Sequence, residues 1–150
     1  MAERVLKTVG MMLPLLMLSA GTWTDIREKK VDVRPILLTG FFGIAGRCLF
    51  GNESVPAVFA AAAPGLILLA VTIASRGGIG TGDGLCMLVL GLYYPPEEVW
   101  MILFVSLCFG GIIGALLLVR GNSRGASFPF LPCLLAGCLY CEITRLILRQ

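Results

Sequence analysis

The feature that most constrains this chain is how its charge is confined. Six apolar runs, at residues 8–24, 35–50, 56–75, 84–94, 98–119 and 129–148, are parted only by short polar stretches. A helix needs about 20 apolar residues to cross the hydrocarbon of a bilayer, so six helices with minimal loops nearly fill the 150 residues. Charged residues make up 14% of the chain, against about 25% in soluble domains, which is too few to cover a globular surface. The expected fold class is therefore all-α: a polytopic membrane protein with six transmembrane helices in one membrane-embedded domain over residues 1–150. No length is left for a separate soluble domain.

The fourth run is the exception. Gly84 to Tyr94 is 11 residues, about 16 Å of helix at 1.5 Å per residue. Pro95-Pro96-Glu97-Glu98 separates it from the full-length run Val99 to Val119, and two prolines with two carboxylates do not sit mid-helix in lipid. The fourth helix is thus expected to be short, with its N-terminal end below the membrane surface in a wet or protein-lined recess.

The first run has the look of a signal peptide, with Arg4 and Lys7 ahead of an apolar stretch that reaches Ser19-Ala20-Gly21. Its apolar character continues through Trp23, and the loop that follows is more basic than the N-terminus, so it reads as a retained helix. Six spans place Arg27, Lys29, Lys30, Arg34, Arg76, Arg120 and Arg124 on one side of the membrane. Arg4, Lys7, Arg47, Arg145 and Arg149 fall on the other. The basic first loop then faces the cytoplasm and both termini lie outside.

Histidine is absent, which removes His-based acid–base chemistry, serine and cysteine hydrolase triads and most zinc sites. The net charge of +3 forms no basic face with interleaved aromatics, so nucleic acid is not an expected partner. Cys48, Cys86, Cys108, Cys133, Cys138 and Cys141 are scattered through apolar runs and read as small packing residues. Only Cys138 and Cys141 have a CxxC spacing. No metal or other cofactor is expected.

Two aspartates stand out by position. Asp25 closes the first apolar run and Asp83 opens the fourth. Two intervening spans return the chain to the same face, so both carboxyl groups are expected at similar depth. Ionisable groups at such depth are costly and mark function. Two carboxylates sharing a site do not both ionise readily, so one can hold a proton while the other activates water. A place before a helix favours the Asp83 anion, and a place after one favours the proton on Asp25, although Arg27 and Lys29 act the other way. Gly77, Gly78, Gly80, Gly82 and Gly84 offer unhindered backbone along which an extended peptide could lie. On the competing reading, Asp83 caps a helix beside a flexible loop.

Gly80-Thr81-Gly82-Asp83 is the GxGD signature of intramembrane aspartyl proteases. Asp25-Ile26-Arg27 followed by Val31 resembles the first catalytic motif of the type IV prepilin peptidases, and Phe128-Pro129-Phe130-Leu131-Pro132 is similar to that family's Pro-Phe-x-Pro segment. The resemblance covers essentially the whole chain in order, spacing and helix number. It implies an aspartyl endopeptidase that cuts the basic leader of pilin-like precursors at the cytoplasmic face of the cell membrane, with Asp25 and Asp83 as the catalytic pair. Gly80, Gly82, Glu28 and Asp32 are the candidate contacts to the leader. The sequence departs from the family pattern at Leu85, where lysine is usual, and at Asp32 and Val33, where proline and asparagine are usual. The N-terminal domain of longer members, with paired CxxC motifs and N-methylation activity, has no counterpart. That absence implies a chain that only cleaves, like the short forms associated with tight-adherence pili.

Among other residues, Glu142 and Arg145 are expected to form an i,i+3 ion pair, and Arg47 to reach toward the interface. Trp23, Tyr93, Tyr94 and Trp100 are placed as interface anchors. Gly110 and Gly114 have a spacing suited to close helix packing. Rival readings are a small ion- or proton-coupled transporter or channel that uses the paired aspartates, and a non-catalytic assembly factor.

Overall fold

The structure, a computed structural model, describes residues 2–28, 33–50, 54–74, 80–119 and 130–148. Among these residues the chain forms six helices and no strand: α1 Ala2–Glu28, α2 Val33–Phe50, α3 Val55–Ala74, α4 Thr81–Tyr93, α5 Pro96–Val119 and α6 Leu131–Leu148. By length and composition, three stretches among the described residues can cross a membrane: Val55–Ala74, Pro96–Leu117 and Leu131–Leu148. Only 28%, 22% and 33% of their most apolar windows are buried, so their apolar side chains face mostly outward. Phe59, Phe104, Ile112 and Leu146 are among the exposed ones. A surface of this kind suits lipid, and the chain is a membrane protein.

Helix ends follow local chemistry. Pro35, Pro56, Pro96 and Pro132 all lie in first turns, where a missing N–H costs no intrahelical bond. The Pro95 carbonyl accepts from the N–H groups of Glu98 and Val99 at 3.1 Å each. Helix α5 therefore starts at Pro96 and includes Glu97 and Glu98, where the sequence placed a separating loop. Two acidic residues there face the positive end of the helix dipole. Helix α1 runs past its apolar stretch to Glu28, since Asp25-Ile26-Arg27-Glu28 holds no glycine or proline to stop it.

The short helix α4 lies at the middle of the packing, against α1, α2, α3 and α5. Its bed on α3 is a ladder of very close approaches. A Cβ on Gly91 would stand 2.5 Å from the Ala61 carbonyl oxygen, one on Gly65 2.6 Å from the Leu88 backbone nitrogen, and one on Gly84 2.7 Å from Leu69 Cγ. Residues 61, 65 and 69 are successive turns of α3, so the two helices run antiparallel with their backbones almost in contact. Such small-residue seams let dispersion and backbone contacts hold helices together where lipid removes the hydrophobic drive. Gly137 of α6 meets α5 the same way, with a Cβ there 2.5 Å from Ser106 Oγ.

The C-terminal end of α4 is held as tightly. The Tyr94 N–H donates to Leu90 O at 3.0 Å, while Arg47 of α2 donates from Nη2 to Gly91 O at 2.9 Å and from Nε to Leu92 O at 3.0 Å. Arg47 thus turns inward rather than toward the interface, because these last carbonyls would otherwise lack partners in an apolar setting. Tyr93 donates its hydroxyl to Thr39 O at 2.7 Å. Tyr94 is in the core with its hydroxyl 3.3 Å from Cys138 Sγ, so it is not an interface anchor. Trp23 and Trp100 are exposed, as anchors should be.

Candidate functional site

Asp83 is the third residue of α4, inside the first turn, so it lies within the helix and does not precede it. The turn is built around Gly80, whose extended backbone (φ −66°, ψ 132°) precedes the helix and whose carbonyl accepts from the Asp83 N–H at 3.1 Å. Asp83 is 5% exposed. Its carboxylate folds back over Gly80: a Cβ added there would stand 3.1 Å from Asp83 Oδ2. A buried carboxylate among the first N–H groups of a helix sits where the backbone dipoles favour negative charge.

Of the glycines proposed to lie along a peptide, Gly80 alone among the described residues is extended. Gly82 and Gly84 are helical and buried, and Gly77 and Gly78 lie outside the described residues. Gly84 instead lets Leu69 of α3 pack against the turn that carries Asp83. The same register brings Thr72 of α3 to the level of that turn. Thr72 is buried and its hydroxyl donates to Leu68 O at 2.9 Å. From α6, the Cys133 thiol is within electrostatic reach of Asp83.

Asp25 occupies the last turn of α1 and does not follow the helix. One turn earlier, a Cβ on Gly21 would stand 2.6 Å from Leu131 Cδ2, which docks the end of α1 on the beginning of α6. Since Cys133 is two residues from Leu131, the last turn of α1 and the first turn of α4 flank the same end of α6. The helix ends that carry Asp25 and Asp83 therefore share one end of the bundle. Arg27 lies over the Trp23 ring at 5.4 Å. The side chains of Asp25 and Glu28, and Asp32 altogether, lie outside the described residues, as do Phe128 and Pro129.

The opposite end holds a second polar cluster that the sequence revealed only in part. Arg145 has Glu142 within 3.7 Å, the expected i,i+3 pair, but its hydrogen-bonded partner is Glu98 of α5, bound through both Nε and Nη2. The Tyr94 ring lies under the Arg145 guanidinium at 5.6 Å. Among the described residues no group of three or more acidic or cysteine side chains is arranged to hold a metal. Cys86, Cys133, Cys138 and Cys141 are buried, where packing residues belong, and Cys48 and Cys108 are exposed. Gly110 faces Phe130 of α6, whereas Gly114 faces open space.

Six helices with apolar outward faces, and a buried aspartate in the first turn of the short central one, make the described residues those of an all-helical membrane protein. Residues 12–115 match the type IV leader peptidase family, and the chain belongs to that family. The match includes both Asp25 and Asp83, and membership makes the function that of a leader peptidase, a protease. No curated protein and no solved structure matches the chain.

Proposed function

We propose that the chain is an aspartyl endopeptidase in which Asp25 and Asp83 form the catalytic pair. Its substrate is a type IV pilin-like precursor, of the tight-adherence kind, cut after a short basic leader at the cytoplasmic face of the cell membrane. The observation that carries this reading is the burial of Asp83 in the first turn of α4, at the bundle end shared with the last turn of α1.

In this reading all six helices are embedded, both termini lie outside, and 1–150 is one peptidase domain. The 13 residues of α4 give about 20 Å of helix, short of the roughly 30 Å hydrocarbon. With its C-terminal end tied to α2, that deficit sets Asp83 back from the cytoplasmic surface, in a recess that water and an extended leader can enter. The ionised carboxylate takes a proton from water as its oxygen attacks the scissile carbonyl carbon. The protonated partner gives its proton to the carbonyl oxygen. The tetrahedral diol collapses as the C–N bond breaks and the leaving nitrogen takes up a proton, so no acyl-enzyme forms. Glu28 and Asp32 follow Asp25 closely in sequence and would meet the basic leader, while Gly80 and Gly82 leave its path unhindered.

Co-expression with a pilin-like precursor tests the reading. Leader loss is expected with the wild-type chain and not with Asp25→Asn or Asp83→Asn, at equal amounts of folded protein. Cleavage retained in either variant would overturn the catalytic pair. Vesicle uptake of a cation that depends on both aspartates, without cleavage, would move the chain to the transporter class.

A further inference from the structure

Five hydroxyls inside the described helices turn back on their own backbone. Ser19 donates to Leu16 O at 2.9 Å, Thr24 to Gly21 O at 2.9 Å, Thr72 to Leu68 O at 2.9 Å, Ser106 to Ile102 O at 2.6 Å and Thr144 to Tyr140 O at 2.9 Å. Thr22 does not. Its Oγ1 is buried and has no hydrogen-bond partner, although a carbonyl of its own helix is always within a rotamer's reach. A buried polar atom left without a partner costs stability, and valine would fill the same space without that cost. Its retention is explained if the partner arrives with something absent from the resting chain.

Its place says what arrives. Thr22 follows Gly21, which is docked on Leu131, and precedes Asp25 by three residues, so it stands about one turn before the carboxyl-bearing residue on the same helix. A peptide drawn into an apolar recess loses water from its own N–H and C=O groups. Each of these needs a partner there, since an unpaired peptide group in such a setting is costly. A hydroxyl that can donate and accept at once suits either group.

We propose that Thr22 is a substrate-positioning residue whose hydroxyl hydrogen-bonds the leader's backbone beside the peptide bond to be cut. The inference rests on the peptidase reading above and adds a specific contact to it. The contact forms only when the leader is bound, and it acts on how the substrate is held. The protons of the aspartate pair do not depend on it.

The test uses the full-length chain in detergent with a pilin-like precursor bearing a short basic leader, comparing wild type, Thr22→Val, Thr22→Ser and Asp83→Asn. For Thr22→Val the expected result is a fall in kcat/KM of tenfold or more, carried mainly by KM. Its pH profile should keep the wild-type shape, and its Tm should equal or exceed that of wild type. Thr22→Ser should recover most of the loss. Wild-type cleavage by Thr22→Val would overturn the proposal. So would a loss that tracks a lowered Tm, which would make the hydroxyl structural, or a moved pH profile at unchanged KM, which would place it on the aspartates. If wild type itself fails to cleave, or Asp83→Asn still does, the peptidase reading falls and this contact falls with it.

Discussion

Arg47 Nη2 donates to the Gly91 carbonyl oxygen at 2.9 Å, across 44 residues of sequence and from one helix to the end of another. With Nε on Leu92 O, it turns a side chain that usually faces water into the C-terminal cap of α4. A positive group there also meets the negative end of the helix dipole.

Replacing Arg47 by methionine keeps the aliphatic stem but strips both carbonyls of their partner. The expected cost is about 1–3 kcal/mol, the penalty for buried polar groups left unpaired, read as a lowered Tm in detergent. Arg47→Lys, which can reach one carbonyl at a time, should fall between. A methionine variant as stable as wild type would show that these carbonyls find other partners.

Gly80→Ala probes the site without touching a carboxylate. The backbone there has φ −66°, which alanine adopts freely, but the new Cβ would press on Asp83 Oδ2 at 3.1 Å. The carboxylate must yield by a few tenths of an ångström. Because a misplacement of about 1 Å can cost 10²-fold in rate, a loss of roughly tenfold in kcat is expected with Tm unchanged. Full activity would mean that the position of Oδ2 is not critical.

Glu98 and Arg145 form an ion pair with side chains 25% and 15% exposed. Removing one partner leaves a largely buried charge, whereas removing both leaves none, so the single substitutions should cost more than the double. A cycle of Arg145→Leu, Glu98→Leu and the double variant should give a coupling of about 0.5–3 kcal/mol in unfolding. Additive effects would show that the pair contributes no mutual stabilisation, with Glu142 the sufficient partner of Arg145.

Gly65→Ala and Gly111→Ala offer a contrast of equal chemistry. The first sets a Cβ 2.6 Å from the Leu88 nitrogen, and the second meets nothing within 4 Å. Overpacking is expected to cost about 1–3 kcal/mol at Gly65, while Gly111→Ala should be neutral or gain up to about 1 kcal/mol from helix propensity. Equal thermal stability of the two variants would mean that α3 and α4 separate without cost.

Much of this architecture was legible in the sequence. The apolar runs marked all six helices, Pro95 with Pro96 marked the end of the short one, and Gly80-Thr81-Gly82-Asp83 marked the buried aspartate. Two boundaries were not, because charge is a poor end signal: α1 continues through Asp25 to Glu28 and α5 takes in Glu97 and Glu98. Inside a bundle, a helix stops where its backbone must, and charged residues in a terminal turn are no obstacle. The long-range partnerships were also hidden. The spacing of Glu142 and Arg145 revealed their local pair, but the bond to Glu98 depends on how α5 and α6 slide against each other, and no local pattern encodes that register. Tyr94 looked like an interface residue for the same reason, since its position next to the Pro95 turn placed it at a helix end without saying which way it faced. That Thr72 lies level with the Asp83 turn, and Cys133 within electrostatic reach of it, depends on the α3, α4 and α6 registers.

The close approaches between helices are of two kinds, and they leave different freedom to the sequence. At Gly21 the neighbour is the tip of a leucine, Leu131 Cδ2, so bulk added on one side can be traded for bulk removed on the other. At Gly65 and Gly91 the neighbours are main-chain atoms, the Leu88 nitrogen and the Ala61 carbonyl oxygen, which every residue type possesses. No exchange at position 88 or 61 could make room there. Positions 21 and 131 are therefore free to drift as a correlated pair, whereas 65 and 91 are pinned to glycine whatever their partners become.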